Sequence, residues 1–156
     1  MVLLSDMNEA IYLLAAVPIF ISSIYSLYHV VTKHERRHHV QHIVIIALSA
    51  SIAWLISVVL KEQIGHPRPD LTYALFIPSD PYSFPSGHAT FMFGLAFAMY
   101  SFDKHAGKIL FSLACITGVA RVLSGVHYWY DIVGGCILGA GVASIIVSLA
   151  KQFLKK

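Results

Sequence analysis

Pro85-Ser86-Gly87-His88, running straight into the apolar stretch Ala89 to Phe102, decides how this chain is read. Pro, Ser and Gly in that order start helices. The Ser side chain can cap a helix whose first backbone N–H groups lack intrahelical partners. Such a terminus attracts anions, and phosphate is the usual guest. A His on the first turn can then pass a proton to or from that guest. Taken alone, the four residues also fit an ordinary helix cap with a bystander His. The placement of the remaining charges separates the two readings.

Those charges are few. Of 156 residues, 57% are hydrophobic and 12% charged, against about 25% charged in an average soluble domain. The mean hydropathy is +0.70. A single integral-membrane domain over residues 1–156 is the natural expectation. The net charge of +3 says little by its size. Its basic residues are scattered rather than gathered in a stripe, which argues against nucleic-acid binding. Cys115 and Cys136 fall inside apolar runs and read as small apolar core residues, neither a disulfide nor a metal pair. Met1 to Glu9 lacks the basic region of a cleavable signal peptide.

Five apolar segments can be marked: about Ala10 to Val31, Val40 to Leu60, Gly87 to Phe102, Ile109 to Leu123 and Tyr130 to Phe153. A span needs about 20 residues, so the third and fourth are short. Backbone polarity makes all of them helices, giving an all-α polytopic bundle of about five transmembrane helices. Gly135 and Gly139 form a G-x-x-x-G suited to close helix packing. The segments Thr32 to His39, Asp103 to Lys108 and the C-terminal tail hold 8 of the 11 Lys and Arg. Five spans put all three on one side, which the positive-inside rule makes cytoplasmic. The N-terminus is then outside and the C-terminus in the cytoplasm.

The other three basic residues, Lys61, Arg68 and Arg121, fall on the outer side, together with Ser86, His88, His127 and Asp131. Cations are disfavoured there, and an anionic ligand explains them. Two Arg and a Lys can clamp a tetrahedral oxyanion and neutralise charge that builds during displacement. Ser86 and the N–H groups of Gly87 and His88 add donors. His127 and Asp131 are one helical turn apart, so the carboxylate can hold one ring nitrogen and make the other more basic. His127 can then attack phosphorus while His88 protonates the departing oxygen. Singly, Asp131 reads equally as a helix cap and Arg121 as a snorkelling side chain. His66 and the group His34, His38, His39 and His42 read as solvated or interfacial.

Three stretches carry a family resemblance. Lys61…Arg68-Pro69, Pro85-Ser86-Gly87-His88 and Ala120-Arg121…His127…Asp131 resemble the K-x6-R-P, P-S-G-H and S-R-x5-H-x3-D signature of the type 2 phosphatidic acid phosphatase family. The resemblance covers Lys61 to Asp131 in order and spacing. It implies a helical bundle and a phosphatase that works without metal or other cofactor, through a phosphohistidine. It also implies His127 as nucleophile, Asp131 as its partner and His88 as acid. Lys61, Arg68, Ser86, Gly87 and Arg121 become the phosphate cradle. Two features depart from the pattern. Ala120 stands where the family has Ser, and five spans are marked where six are common.

The aromatic and Pro-rich stretch Asp70 to Phe84, with Tyr128, Trp129 and Tyr130, reads as interface anchoring and as a vestibule for a lipid headgroup. Analogy with bacterial members makes undecaprenyl diphosphate the first candidate substrate. Phosphatidylglycerophosphate, phosphatidic acid and lipid A 1-phosphate follow. The localisation expected is the plasma or inner membrane, with the site on the periplasmic or extracellular side. Two rivals belong to other classes. One is a vanadate-type haloperoxidase, whose relatives are soluble. The other is a His-rich metal transporter, suggested by the cluster at 34 to 42. Cations beside His88 and His127 would repel a metal ion there.

Overall fold

A computed structural model describes residues 36–154. The first apolar segment, Ala10 to Val31, and the last two lysines lie outside the described residues. Four helices follow one another: α1 (Arg36–Ile64), α2 (Gly87–Tyr100), α3 (Lys104–Leu123) and α4 (Trp129–Leu154), with a single 3-10 turn at Leu71–Tyr73 in the connection between α1 and α2. By packing, the chain divides between Val44 and Ile45, inside α1, and residues 45–156 form one compact unit. Every residue of the sequence motifs lies in that unit.

Among the described residues, three helical stretches are long and apolar enough to cross a membrane: His39–Ile64, Lys104–Leu123 and Trp129–Phe153. The third expected segment, Gly87 to Phe102, is the short one. It forms a helix of 14 residues, about 21 Å at 1.5 Å per residue, against about 30 Å of hydrocarbon. α2 is as short as its apolar run suggests, and it is packed along most of its length. Ala89, Met92, Phe93, Leu95, Ala96 and Ala98 along it are all buried. Ala89, Met92 and Phe93 join Ala114 of α3 and Ile132 of α4 in one cluster. Phe93 and Phe97 both set their rings edge-on to Phe111 of α3.

The G-x-x-x-G of α4 lies against α2. A Cβ on Gly139 would come within 2.4 Å of the Thr90 carbonyl oxygen, and one on Gly135 within 2.8 Å of the Ser86 carbonyl oxygen. These backbones touch, and any larger residue would push them apart. Buried hydroxyls are satisfied within their own helices. Ser49 and Ser57 of α1 donate to the carbonyls of Ile45 and Trp54, and Thr90 to that of Ser86. An apolar surround demands this of any polar group. Cys115 differs from the expectation: it is exposed on the outside of α3, and Cys136 is half-buried.

The helix ends are set by local chemistry. α1 stops at Gly65, whose φ of 64° suits a residue without a side chain; its N–H donates to the Lys61 carbonyl. Asp103 caps α3 through the N–H groups of His105 and Ala106. α3 ends at Ser124 and Gly125, where φ is 72°. At the far end of α2, Lys151 donates to the Ser101 carbonyl and stands over the Phe102 ring. The end of α1, the start of α2, the end of α3 and the start of α4 are brought together at the opposite end.

Candidate active site

The segment joining α1 to α2 folds back on itself. Pro67 pairs with Tyr82 in an isolated antiparallel bridge, and the Ser83 N–H donates to the His66 carbonyl. This closure holds Arg68 inward. Its Nε donates to the Asp80 carbonyl at 3.0 Å and its Nη1 to the Val126 carbonyl at 2.8 Å. Its Nη2 pairs with the Asp80 carboxylate. Lys61, buried in the last turn of α1, donates to Asp80 Oδ2 at 2.6 Å and to the Tyr82 carbonyl at 3.1 Å. Asp80 therefore bridges two of the three cations, Lys61, Arg68 and Arg121, that the sequence analysis set apart. Partial burial pushes its carboxyl upward, but Lys61 and Arg68 outweigh that and hold it below the usual carboxylate value.

Ser86 caps α2, its Oγ accepting from the Ala89 N–H at 3.5 Å. Its own N–H donates to the Asp131 carbonyl at 3.1 Å, which ties the start of α2 to the start of α4. Gly87 and His88 follow as the first two helical residues, positions whose N–H groups make no intrahelical bond. Arg121, His127, Lys61 and Asp80 are the titratable groups that lie near His88. Arg121 is buried in the last turn of α3, its guanidinium 4.8 Å above the centre of the Phe76 ring. Ala120, beside it, is exposed. The missing family hydroxyl therefore opens no gap in the buried part of the site.

His127 and Asp131 are both buried, Asp131 completely. Asp131 Oδ2 lies 3.1 Å from His127 Nδ1 and accepts from the Tyr128 N–H at 2.8 Å. The Ser83 hydroxyl approaches Oδ1 at 3.5 Å. Since a carboxylate only accepts, the network assigns the ring proton to Nδ1. His127 Nε2 is thereby left with its lone pair, and Arg68 Nη1 stands 3.4 Å from it. Burial lowers the affinity of His127 for a second proton. Arg68 and Arg121 add to that, against the opposing pull of Asp131, and the net effect is below the ordinary 6.5.

All eight residues singled out in the sequence thus gather around one end of the bundle. Four participants were not singled out there. Asp80 occupies the space between Lys61 and Arg68. Phe76 covers Arg121, and Ser83 touches Asp131. His66, read from sequence as solvated or interfacial, is half-buried; its Nδ1 lies 3.1 Å from the Ser83 hydroxyl and its Nε2 3.3 Å from the Tyr130 hydroxyl. The only sequence signal for these four is their position within the 22 residues between α1 and α2. The aromatic stretch divides: Tyr73, Leu75 and Ile77 are exposed, whereas Phe76 turns inward. Tyr128 and Tyr130 stack at 4.9 Å beside His127. Among the described residues, no three His, Cys, Asp or Glu side chains gather as a metal-holding group.

Residues 39–155 match the PAP2 superfamily. The chain belongs to that superfamily. It is 40% identical over 57 residues to the bacitracin transport permease protein BcrC of Bacillus licheniformis, covering 36% of this chain and 28% of that one. It is 29% identical over 103 residues to the putative undecaprenyl-diphosphatase YbjG of Escherichia coli, covering 64% and 52%. It is 32% identical over 113 residues to phosphatidylglycerophosphatase B of Bacillus subtilis, covering 65% and 53%. The matches thus span from about a quarter to about half of these relatives' own lengths. The crystal structure of LpxE from Aquifex aeolicus superposes with a TM-score of 0.63 at 24% identity, covering 87% of this chain and 84% of that one. A phosphatidylglycerolphosphate phosphatase of PAP2 type from Bacillus subtilis superposes at 0.62 and 21%, covering 94% and 77%. At these identities the likeness is one of fold.

Proposed function

We propose that this PAP2 protein is a membrane lipid phosphatase that removes a terminal phosphate from a lipid phosphate or diphosphate through a phosphohistidine. Lys61, Arg68, Ser86, Gly87 and Arg121 hold the phosphoryl oxygens. His127 Nε2 attacks phosphorus; the N–P bond forms as the bond from phosphorus to the lipid oxygen breaks. His88 gives that oxygen its proton. Water then attacks phosphorus, the N–P bond breaks, and His88 takes a proton from the water. The net reaction consumes one water and yields the dephosphorylated lipid and inorganic phosphate. Asp131 keeps the Nδ1 proton in place and balances the positive charge that the ring gains. Three fixed cations supply the charge stabilisation, so neither a metal nor another cofactor takes part in any step.

One observation carries this reading: His127 has Nδ1 held 3.1 Å from Asp131, and Nε2 turned to Arg68 at 3.4 Å. A nucleophilic lone pair and a phosphate-binding guanidinium share one site. Undecaprenyl diphosphate is the first candidate substrate, by analogy with the relative YbjG; phosphatidylglycerophosphate, phosphatidic acid and lipid A 1-phosphate follow. The chain acts as one membrane domain of about five spans, including Ala10 to Val31. It lies in the plasma or inner membrane with the N-terminus outside, the C-terminus in the cytoplasm and the site at the outer face.

The test is phosphate release by purified protein in detergent from those four lipids, with and without EDTA. Wild type should release phosphate from at least one, unaffected by EDTA, and His127→Ala should lose at least about a hundredfold. Release by His127→Ala within about tenfold of wild type removes His127 as nucleophile. Loss with EDTA that a divalent cation restores removes the metal-free mechanism.

A further inference from the structure

Asp80 stands where the proposed phosphate would go, and it does so as a replaceable guest. Its two carboxylate oxygens face Lys61 Nζ and Arg68 Nη2. Neither cation is held by the Asp80 carboxylate alone. Lys61 is also held by the Tyr82 carbonyl, and Arg68 by the backbone carbonyls of Asp80 and Val126. Both cationic side chains are nearly buried, at 9% and 5% exposed, while the Asp80 side chain is 42% exposed. The carboxylate therefore sits at the open side of a cradle whose cations are fixed from behind. It lies on a connection outside the helices, and its side chain can rotate towards solvent while its backbone carbonyl keeps Arg68 in place and the Pro67–Tyr82 bridge stays closed.

We propose that Asp80 is a specificity-determining residue: an internal anion that a lipid phosphate must displace, and which thereby selects terminal phosphates over the phosphodiester headgroups of ordinary membrane lipids. This rests on the function proposed above. Charge shows why the selection works. Lys61, Arg68 and Arg121 contribute three positive charges and Asp131 one negative, leaving two positive once Asp80 has moved away, or three when His88 holds the proton it is to give up. A terminal phosphomonoester carries a charge of about −1.5 to −2 at neutral pH and matches them. A phosphodiester carries a single charge, as Asp80 does, and its two ester oxygens are poor acceptors. It gains little over the carboxylate already in place, which is covalently tethered and present at high effective concentration. In a bilayer, phosphodiester lipids are the abundant competitors, so rejecting them matters more than binding the substrate tightly. This is selection by an unfavourable alternative rather than by an added contact.

The experiment compares wild type, Asp80→Asn, Asp80→Ser and Asp80→Glu in detergent. Binding of inorganic phosphate is read by calorimetry, which needs no turnover. Removing the competing charge should tighten phosphate binding roughly fivefold to tenfold in both Asp80→Asn and Asp80→Ser, as expected for one charge-assisted contact. Asp80→Glu, which keeps the charge, should bind phosphate as wild type does. In mixed micelles, added phosphatidylglycerol should inhibit hydrolysis by the two neutral variants at concentrations that leave wild type unaffected. Unchanged or weaker phosphate binding in both neutral variants overturns the proposal and makes Asp80 a structural partner of the cations. Equal sensitivity of all variants to phosphatidylglycerol overturns its selectivity part. If wild type binds phosphate but hydrolyses no lipid phosphate, the proposed function fails while the calorimetry still decides the role of Asp80.

Discussion

Asp131→Asn is the substitution that separates catalysis from folding at this site. The amide oxygen can take the place of Oδ2 and still accept from the His127 Nδ1–H and the Tyr128 N–H, now at 3.1 and 2.8 Å. The amide nitrogen then faces the Ser83 hydroxyl, which can accept. No bond is lost, but two charge-assisted bonds become neutral ones, a loss of about 1 kcal/mol each or roughly 2 kcal/mol of stability. The catalytic loss is larger. As Nε2 bonds to phosphorus the imidazole ring becomes positive, and the carboxylate that would balance it is gone. For unit charges about 4 Å apart at an effective dielectric near 20, that interaction is worth about 4 kcal/mol, on the order of a thousandfold in rate. The assay is phosphate release from the best substrate of the lipid panel, with thermal unfolding in the same detergent. The expected result is a hundredfold to thousandfold loss of kcat, by these estimates, in a protein that still unfolds cooperatively. A folded Asp131→Asn variant within about tenfold of wild type would refute the argument, because His127 would then not depend on a negative partner.

Three further outcomes follow from particular contacts. Gly139→Ala should lower thermal stability by about 1 to 3 kcal/mol, since the new Cβ would meet rigid backbone at 2.4 Å, while Gly141→Ala, with nothing within 4 Å, should be neutral or slightly stabilising; equal melting temperatures would mean that α2 and α4 do not touch there. His127 should stay neutral down to below its ordinary value of 6.5. The folded state then takes up that proton later than the unfolded chain, so this group adds stability above pH 6.5 and loses it as pH falls towards the folded value. Activity should share that acid limb. The check is an NMR titration of labelled histidines with His127→Asn assigning the resonance, and a midpoint above 6.5 contradicts the arrangement. In sealed cells, a substrate confined to the inner leaflet should survive; its hydrolysis would put the site on the cytoplasmic side.

Much of this site is visible in the sequence because its chemistry is anchored at helix ends, and helix ends have local signatures. Ser86 precedes an apolar run and caps it. Asp131 stands four residues after His127, which lets one carboxylate meet one imidazole across the first turn of α4. Lys61 and Arg121 stand out as cations at the ends of apolar runs, where only a reason in three dimensions keeps them. Close packing of α4 was legible in the same way, because Gly135 and Gly139 are spaced for one helix face, but that its neighbour there is α2 was not. The shortness of α2 was legible too, marked as Gly87 to Phe102 and found as Gly87–Tyr100. What the apolar run did not reveal is which neighbours bury it: Ala50 and Ala53 of α1 and Gly139 of α4 lie against Gly94.

The connection between α1 and α2 was opaque for a different reason. Its side chains are placed by partners 12 to 58 residues away, with no period to reveal them. Asp80 meets Lys61 and Arg68, Ser83 meets Asp131, and Arg68 meets the Val126 carbonyl. In sequence, Asp80 is one acidic residue in a polar stretch between Ser79 and Pro81, which fits a solvated turn. What changes its meaning is where the cations are held. Backbone carbonyls grip Lys61 and Arg68 from behind, so their charges point to the open side whether or not a carboxylate is there. A site built this way is electropositive before any ligand arrives. In a membrane, that charge must be answered by something, and the chain supplies its own anion from the nearest loop. The loop is therefore part of the site's electrostatics, and mutating it tests the phosphate cradle as directly as mutating the cations does.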